Sequence, residues 1–304
     1  MNLIRSKIND ILSDRKELEK FLLIEKERRG ISKEKLVFAG MANIAEYYWC
    51  AMKSLLESKK EELGFFRAYL YDRLSYSYDL GLIKKISKRG KDILEIGNKI
   101  NFDDIEKLLE DKAKNKSEIL ILSEIKIDQN GNKLILINTD TTPEERIFIE
   151  EEAKSKGIRI ADLEEFPLIR GEFLETSKAE KYASIRWNFS WENYVLIGVP
   201  DGITNNFVYE FKTTRKKYFI RFVGPVARTQ ADLYGFFFKR RKKRVQIYCI
   251  EEKYIDTIEN DVDTNRVLEV LANFKKVDFG WPPQPPKSWK CTSCKFKEIC
   301  SLIK

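Results

Sequence analysis

The 304-residue chain contains no histidine. That absence removes imidazole from any metal site, so ligands must come from carboxylates, thiolates and backbone carbonyls. No apolar stretch approaches the ~18 residues needed to span a bilayer, so a cytoplasmic protein without a membrane partner is expected. The five cysteines are odd in number, the chain is large, and no signal peptide opens it. A disulfide framework is therefore not expected. No internal repeat is visible.

What is present is charge: 56 Lys and Arg against 48 Asp and Glu, for a net charge of +8. That balance suits a partner with a phosphate backbone. Lys239–Arg244 forms six consecutive cations. Such a run is ordinarily solvated surface, but its place in the chain also suits phosphate tracking.

The pattern predicts a mixed α/β chain. Leu3, Ile4, Ile8, Ile11, Leu12 and Leu18 recur near helical spacing within 1–30, and 41–80 reads as helical and aromatic-rich. A hairpin is expected from the strand at 118–122 to that at 134–137, then a helix from Thr142-Pro143 to about Lys156 and a strand near 158–160. Another helix is expected over 171–184.

The chemistry concentrates at 193–212. Apolar residues dominate Val195–Val199 and Phe207–Phe211, with Gly-Ile-Thr-Asn-Asn between them, which predicts a β-hairpin. Glu210 and Lys212, two apart, emerge on one face, and Asp201 at the end of the first strand comes opposite them. Two carboxylates beside an ammonium can hold a hard cation and position a water against a phosphodiester. The alternative is a surface hairpin carrying a solvated ion pair. The apolar flanks favour the former, because charge inside a hydrophobic hairpin needs compensation. Residues 225–238 then read as a helix with Pro225 in its first turn. Gln230 and Tyr234 share one face of it.

Cys291, Cys294 and Cys300 form a Cys-x2-Cys-x5-Cys run after a Pro-rich stretch. Three thiolates leave a four-coordinate site incomplete, and without histidine the simplest fourth ligand is another cysteine. Cys50 is the candidate; Cys249 lies in a β-rich run and is expected to pack as a small apolar residue. An iron–sulfur cluster and zinc both suit four thiolates, although paired Cys-x2-Cys knuckles, usual for zinc, are missing.

Asp201, Glu210, Lys212, Gln230 and Tyr234, in that order, resemble the RecB-type branch of the PD-(D/E)XK nuclease superfamily. There a Gln-x3-Tyr helix follows the Glu-x-Lys strand. The cysteine pattern is similar to that of the iron–sulfur nucleases of that branch, including CRISPR-associated exonucleases of spacer acquisition and the nuclease domains of some helicase–nucleases. The resemblance implies a restriction-endonuclease-like mixed central sheet flanked by helices, with an N-terminal helical region and a C-terminal iron–sulfur knuckle. It implies a [4Fe–4S] cluster on Cys50, Cys291, Cys294 and Cys300, with zinc as the alternative. It further implies Mg²⁺ or Mn²⁺ on Asp201, Glu210 and the Phe211 carbonyl. Lys212 would orient or help deprotonate the attacking water, while Gln230 and Tyr234 hold the substrate strand or the lysine.

The expected activity is a single-stranded DNA exonuclease working with CRISPR adaptation or repair proteins. The rival expectations are a catalytically weak nucleic-acid-binding subunit of a larger complex and a basic structural zinc protein. One departure stands out: nucleases of this branch commonly carry an upstream Gly-x3-His metal ligand. Here Gly171 and Glu175 keep that spacing with a carboxylate, which is either a ligand or a solvated acid. The expected organisation is a helical region at 1–84, an inserted α/β lobe at 85–165, the nuclease core at 166–277, and a Pro-rich linker with the cysteine run at 278–304.

Overall fold

A helix-breaking aspartate sets the first feature of the computed structural model. The amphipathic stretch within 1–30 forms two helices, α1 (Asn2–Ser13) and α2 (Arg15–Arg28), not one. The Asp14 carboxylate accepts from the backbone N–H of Lys16 at 2.8 Å and of Glu17 at 3.4 Å, satisfying donors that open the second helix. The structure describes residues 2–31, 34–78, 84–88, 91–95, 125–127, 133–137, 151, 154, 159–162, 174–175, 178–180, 182, 184–204, 206–292 and 294–300.

The chain divides into two units, residues 1–114 with 181–304, and residues 115–180. The smaller one carries a three-stranded sheet of β4 (Ile125–Ile127), β5 (Lys133–Ile137) and β6 (Arg159–Asp162), with β5 in the centre. The strand expected over 118–122 lies outside the described residues, as do residues 142–150 of the expected 142–156 helix. Of the helix expected over 171–184, residues 174–175 and 178 are helical, residues 179, 180 and 182 are not, and a strand has begun by Ser184.

The larger unit builds on β1 (Val37–Gly40), α3 (Met41–Ala45), a 3₁₀ turn at Glu46–Tyr48, and the long α4 (Ala51–Tyr78). Strands β2 (Lys84–Lys88), β3 (Lys91–Glu95), β7 (Ser184–Trp191) and β8 (Tyr194–Gly198) join β1 in a five-stranded mixed sheet of order β1-β8-β7-β3-β2. Residues 85–88 and 91–95, expected in the inserted lobe, pair within this unit, β3 running parallel to β7.

A second mixed sheet holds β9 (Gly202–Ile203), β10 (Phe207–Thr214), β11 (Lys242–Cys249) and β12 (Tyr254–Asp261), in the order β12-β11-β10-β9. Helix α5 (Ile220–Phe237) carries the chain from β10 to its parallel neighbour β11. It starts five residues before Pro225, preceded by a 3₁₀ turn at Lys217–Phe219, so the proline sits in its second turn. Helices α6 (Thr264–Asp278) and α7 (Ser288–Thr292) complete the unit.

Strand β8 is buried along its whole length, which explains its unbroken apolar run. Val195 and Ile197 face a cluster with Phe38, Phe66, Tyr69, Leu70, Ile8 and Ile11. Tyr194 and Leu196 belong to the main core, with Val208, Val245 and Ile247 from the second sheet and Ala227, Leu233, Leu271 and Phe274 from α5 and α6. Among the described residues the larger unit is thus a mixed α/β fold with helices flanking two mixed sheets. Among the described residues no helix is long and apolar enough to cross a membrane.

Candidate functional site

The expected hairpin forms, but with a different first strand. Val195–Gly198 lies in β8 and pairs with β1 and β7, so it is not the partner of β10. That role falls to the two-residue β9, with Gly202 opposite Tyr209 and Ile203 opposite Val208. The register brings Asp201, one residue earlier, to the level of Glu210. Its Oδ2 accepts the Phe211 backbone N–H at 2.8 Å. The Ser184 hydroxyl donates to the Pro200 carbonyl at 2.5 Å, anchoring the turn before Asp201. Gly202 is required here because a Cβ at this position would collide with the Tyr182 side chain.

Glu210 is fully buried, and its Oε1 lies 2.6 Å from Lys212 Nζ. Burial works against the Lys212 ammonium, but Glu210 and then Asp201 outweigh it and hold the pKa above the usual lysine value. These two carboxylates therefore favour the charged ammonium of Lys212. Gln230 and Tyr234 face this pair from α5. Gln230 Nε2 donates to the Tyr234 hydroxyl at 3.1 Å, and both side chains are buried. Burial first, then the charges of Glu210 and Asp201, push the Tyr234 phenol well above its ordinary pKa. The five residues singled out from sequence thus come together at one place.

Sequence reasoning missed a third carboxylate. Glu46, in the 3₁₀ turn after α3, adds to the negative field on Lys212 and pairs with Lys53 at 2.9 Å. Nothing in the local sequence marks it; its proximity comes from the packing of α3 and the following turn against α5. Glu175 lies in the other unit, half-buried, with its carbonyl accepting the Ala179 N–H at 3.2 Å.

In the basic run at 239–244, Lys239, Arg241 and Lys242 are exposed, while the other three cations are engaged within the fold. Arg240 donates to the carbonyls of Thr204 at 2.6 Å and Phe238 at 3.3 Å. Lys243, only 2% exposed, pairs with Asp232, and Arg244 binds Glu259 and the Tyr182 hydroxyl. In the parallel register Lys242 stands opposite Phe207 and Ile247 opposite Lys212, so the run lies at the other end of the strands from Lys212.

Cys50, Cys291, Cys294 and Cys300 line one cavity of about 260 Å³, together with Trp49, Lys53, Lys290 and Phe296. Cys249 is elsewhere, buried on β11 beside Thr214 and Tyr254 in the sheet register. The Cys294 N–H donates to the Cys291 carbonyl at 3.2 Å, forming the knuckle turn. Lys290 Nζ donates to the Trp49 carbonyl at 2.7 Å, tying the C-terminal segment to the residue before Cys50. Burial raises the Cys50 thiol pKa, and the nearby Cys300 and Cys291 add to the rise. Among the described residues no three acidic or cysteine side chains draw close enough to form a metal-ligating group. The donor set nonetheless suits a thiolate-bound centre in composition: four sulfurs on one cavity wall, flanked by two ammonium groups.

No family profile and no curated protein matches the chain. Among solved structures, one titled "Crystal structure of SSO0001" is 18% identical and covers 65% of this chain and 96% of that chain, at a TM-score of 0.35. A likeness at that level carries no argument about function.

Proposed function

We propose that this protein is a metal-dependent nuclease of single-stranded DNA with a restriction-endonuclease-like core and a [4Fe–4S] cluster on Cys50, Cys291, Cys294 and Cys300. The observation that carries the reading is Asp201 level with a fully buried Glu210, whose carboxylate is 2.6 Å from the Lys212 ammonium. Burying the Glu210 carboxylate in an apolar sheet, with Asp201 and Lys212 half-buried beside it, costs stability that a folding role alone does not require. The parallel β10–α5–β11 crossover, with Gln230 and Tyr234 over the strand, supports the same reading.

Asp201, Glu210 and the Phe211 carbonyl would hold Mg²⁺ or Mn²⁺, and Glu46 is a further acid whose charge reaches Lys212. A cation there supplies Lewis-acid activation of the phosphate and of the attacking water. Lys212, kept charged by its neighbours, offsets the negative charge that builds on the phosphoryl oxygens. Tyr234, kept protonated, and Gln230, bonded to each other, would hold the substrate strand or the lysine through neutral hydrogen bonds. Exonuclease action and a place beside CRISPR adaptation or repair proteins rest on the family resemblance.

The test is cleavage of an end-labelled single-stranded oligonucleotide with Mg²⁺ or Mn²⁺. Asp201→Ala, Glu210→Ala and Lys212→Ala should each slow it by about 100-fold or more, while binding in chelator stays within a few-fold of wild type. A wild-type rate in Glu210→Ala overturns the assignment.

A further inference from the structure

Beyond Lys212, strand β10 ends at Thr214 and the chain passes through the 3₁₀ turn at 217–219 into α5. There it meets the segment that leads into the cysteine knuckle, and the two surfaces form a continuous run of rings. Tyr218 and Phe222 lie 6.0 Å apart, Phe222 and Trp289 5.0 Å, and Trp289 and Trp49 5.6 Å, all at steep angles. Two of the four face solvent strongly: Tyr218 is 59% exposed and Trp289 41%. Cations are interleaved with them. The Arg221 guanidinium lies 3.7 Å from the Tyr218 ring centre and 4.7 Å from that of Phe222, and Lys287 lies 5.8 Å from the latter.

Neither Arg221 nor Lys287 forms a salt bridge among the described residues, whereas the neighbouring Arg215 and Lys216 are tied to Glu251. Exposed large rings cost solvation, and exposed cations without carboxylates leave positive charge uncompensated. A ligand with flat apolar faces and regularly spaced negative charges satisfies both at once. Unpaired nucleobases on a phosphate backbone have that chemistry.

We propose that Tyr218, Arg221, Phe222, Lys287 and Trp289 form a stacking platform for a single-stranded polynucleotide. Bases stack on Tyr218 and Trp289, while Arg221 and Lys287 take the phosphates. The platform deepens the nuclease reading, on which its role as the approach to Lys212 rests; its binding chemistry does not depend on cleavage. Trp289 belongs to the segment that carries Cys291 and is backed by Trp49, next to Cys50. Trp289 is thus held between Phe222 and Trp49, a residue of the cysteine cavity's wall.

The experiment is fluorescence anisotropy of labelled single-stranded DNA and RNA oligomers with the full-length protein in chelator, so that no cleavage occurs. Tyr218→Ala and Trp289→Ala should each weaken binding about 5- to 150-fold, the range for losing one base stack. Trp289→Tyr should restore most of the affinity, which separates stacking from misfolding. Arg221→Ala should flatten the salt dependence by about 0.7 in log–log slope. Equal losses on DNA and RNA mean base stacking common to both; unequal losses mean the sugar is also read. Wild-type affinity in both Tyr218→Ala and Trp289→Ala overturns the platform, including in favour of a protein partner for these rings. If those variants lose binding but the wild type cleaves nothing with Mg²⁺ or Mn²⁺, the platform stands and the nuclease reading falls.

Discussion

Replacing Glu210 with glutamine keeps the shape of the side chain and removes one charge from the most enclosed part of the site. Cutting a buried ion pair from one side typically costs ~3–5 kcal/mol. Here Lys212 keeps Asp201 as a neighbour, and about a third of its side chain reaches solvent. A cost of ~1–3 kcal/mol is therefore expected. At roughly 2–4 °C per kcal/mol for a body of this size, the metal-free variant should melt about 2–12 °C below wild type. Mg²⁺ makes the sharper comparison, because it prefers oxygen ligands and does not report on the thiols. At about 100 times its dissociation constant, a native-state ligand adds ~2.7 kcal/mol, or roughly 5–11 °C, to the wild type. Glu210→Gln should lose most of that gain. The assay is a pair of far-ultraviolet circular dichroism melts, in Mg²⁺ and in chelator, for each protein. An equal Mg²⁺ shift in both proteins would refute the idea that Glu210 helps hold the cation. Titrating Glu46→Gln and Glu175→Gln in the same way identifies which acid joins Asp201 and Glu210: its loss raises the Mg²⁺ needed for half the shift.

Protein purified without air should absorb broadly near ~400 nm and contain roughly four irons with matching sulfide, as a four-thiolate cluster implies. Cys50→Ser or Cys300→Ser should bleach it and Cys249→Ser should not; stoichiometric zinc without sulfide would replace the cluster with a zinc site. In the N-terminal region, burial tends to raise the pKa of Glu25, but the Tyr69 hydrogen bond with Arg73 and Arg28 holds it below the ordinary 4.5. The folded protein then binds this proton less readily than the unfolded chain. Its stabilisation is present above the ordinary value and is lost as pH falls through the lower folded value. Glu25→Gln should therefore flatten the acid side of a melting-temperature profile against pH. An unchanged profile would show that the pairing contributes nothing to acid stability.

The site was legible where spacing alone fixes geometry. Glu210 and Lys212 share a strand face, Gln230 and Tyr234 share a helix face, and these local periods survive any tertiary arrangement. The common cavity of the four cysteines followed from counting thiols in a chain without histidine. Long-range pairing was not legible. The run Tyr194–Gly198 has the composition of a hairpin strand, but it is buried on both faces as an interior strand of another sheet. Two-residue β9 is too short to leave a pattern. The break at Asp14 was readable as a helix cap, yet the apolar period runs across it unbroken. Glu46 carries no motif, and Lys243 reads as surface in a cationic run although it is buried against Asp232.

The cysteine cavity also has a history in time. Lys290 reaches back 241 residues to the Trp49 carbonyl, and the wall they share runs from the early chain to Cys300. At a synthesis rate of ~5–20 residues per second, Cys50 is made about 12–50 s before Cys291 exists. Strands β8 to β11, with Asp201, Glu210 and Lys212, are all made within that interval. The cavity can thus form only after the residues of the carboxylate–lysine site have been made. A chain stopped before Cys291 can hold every charged residue of the carboxylate–lysine site and still lack three of the four thiols, so a filled cavity marks a polypeptide translated through Cys300.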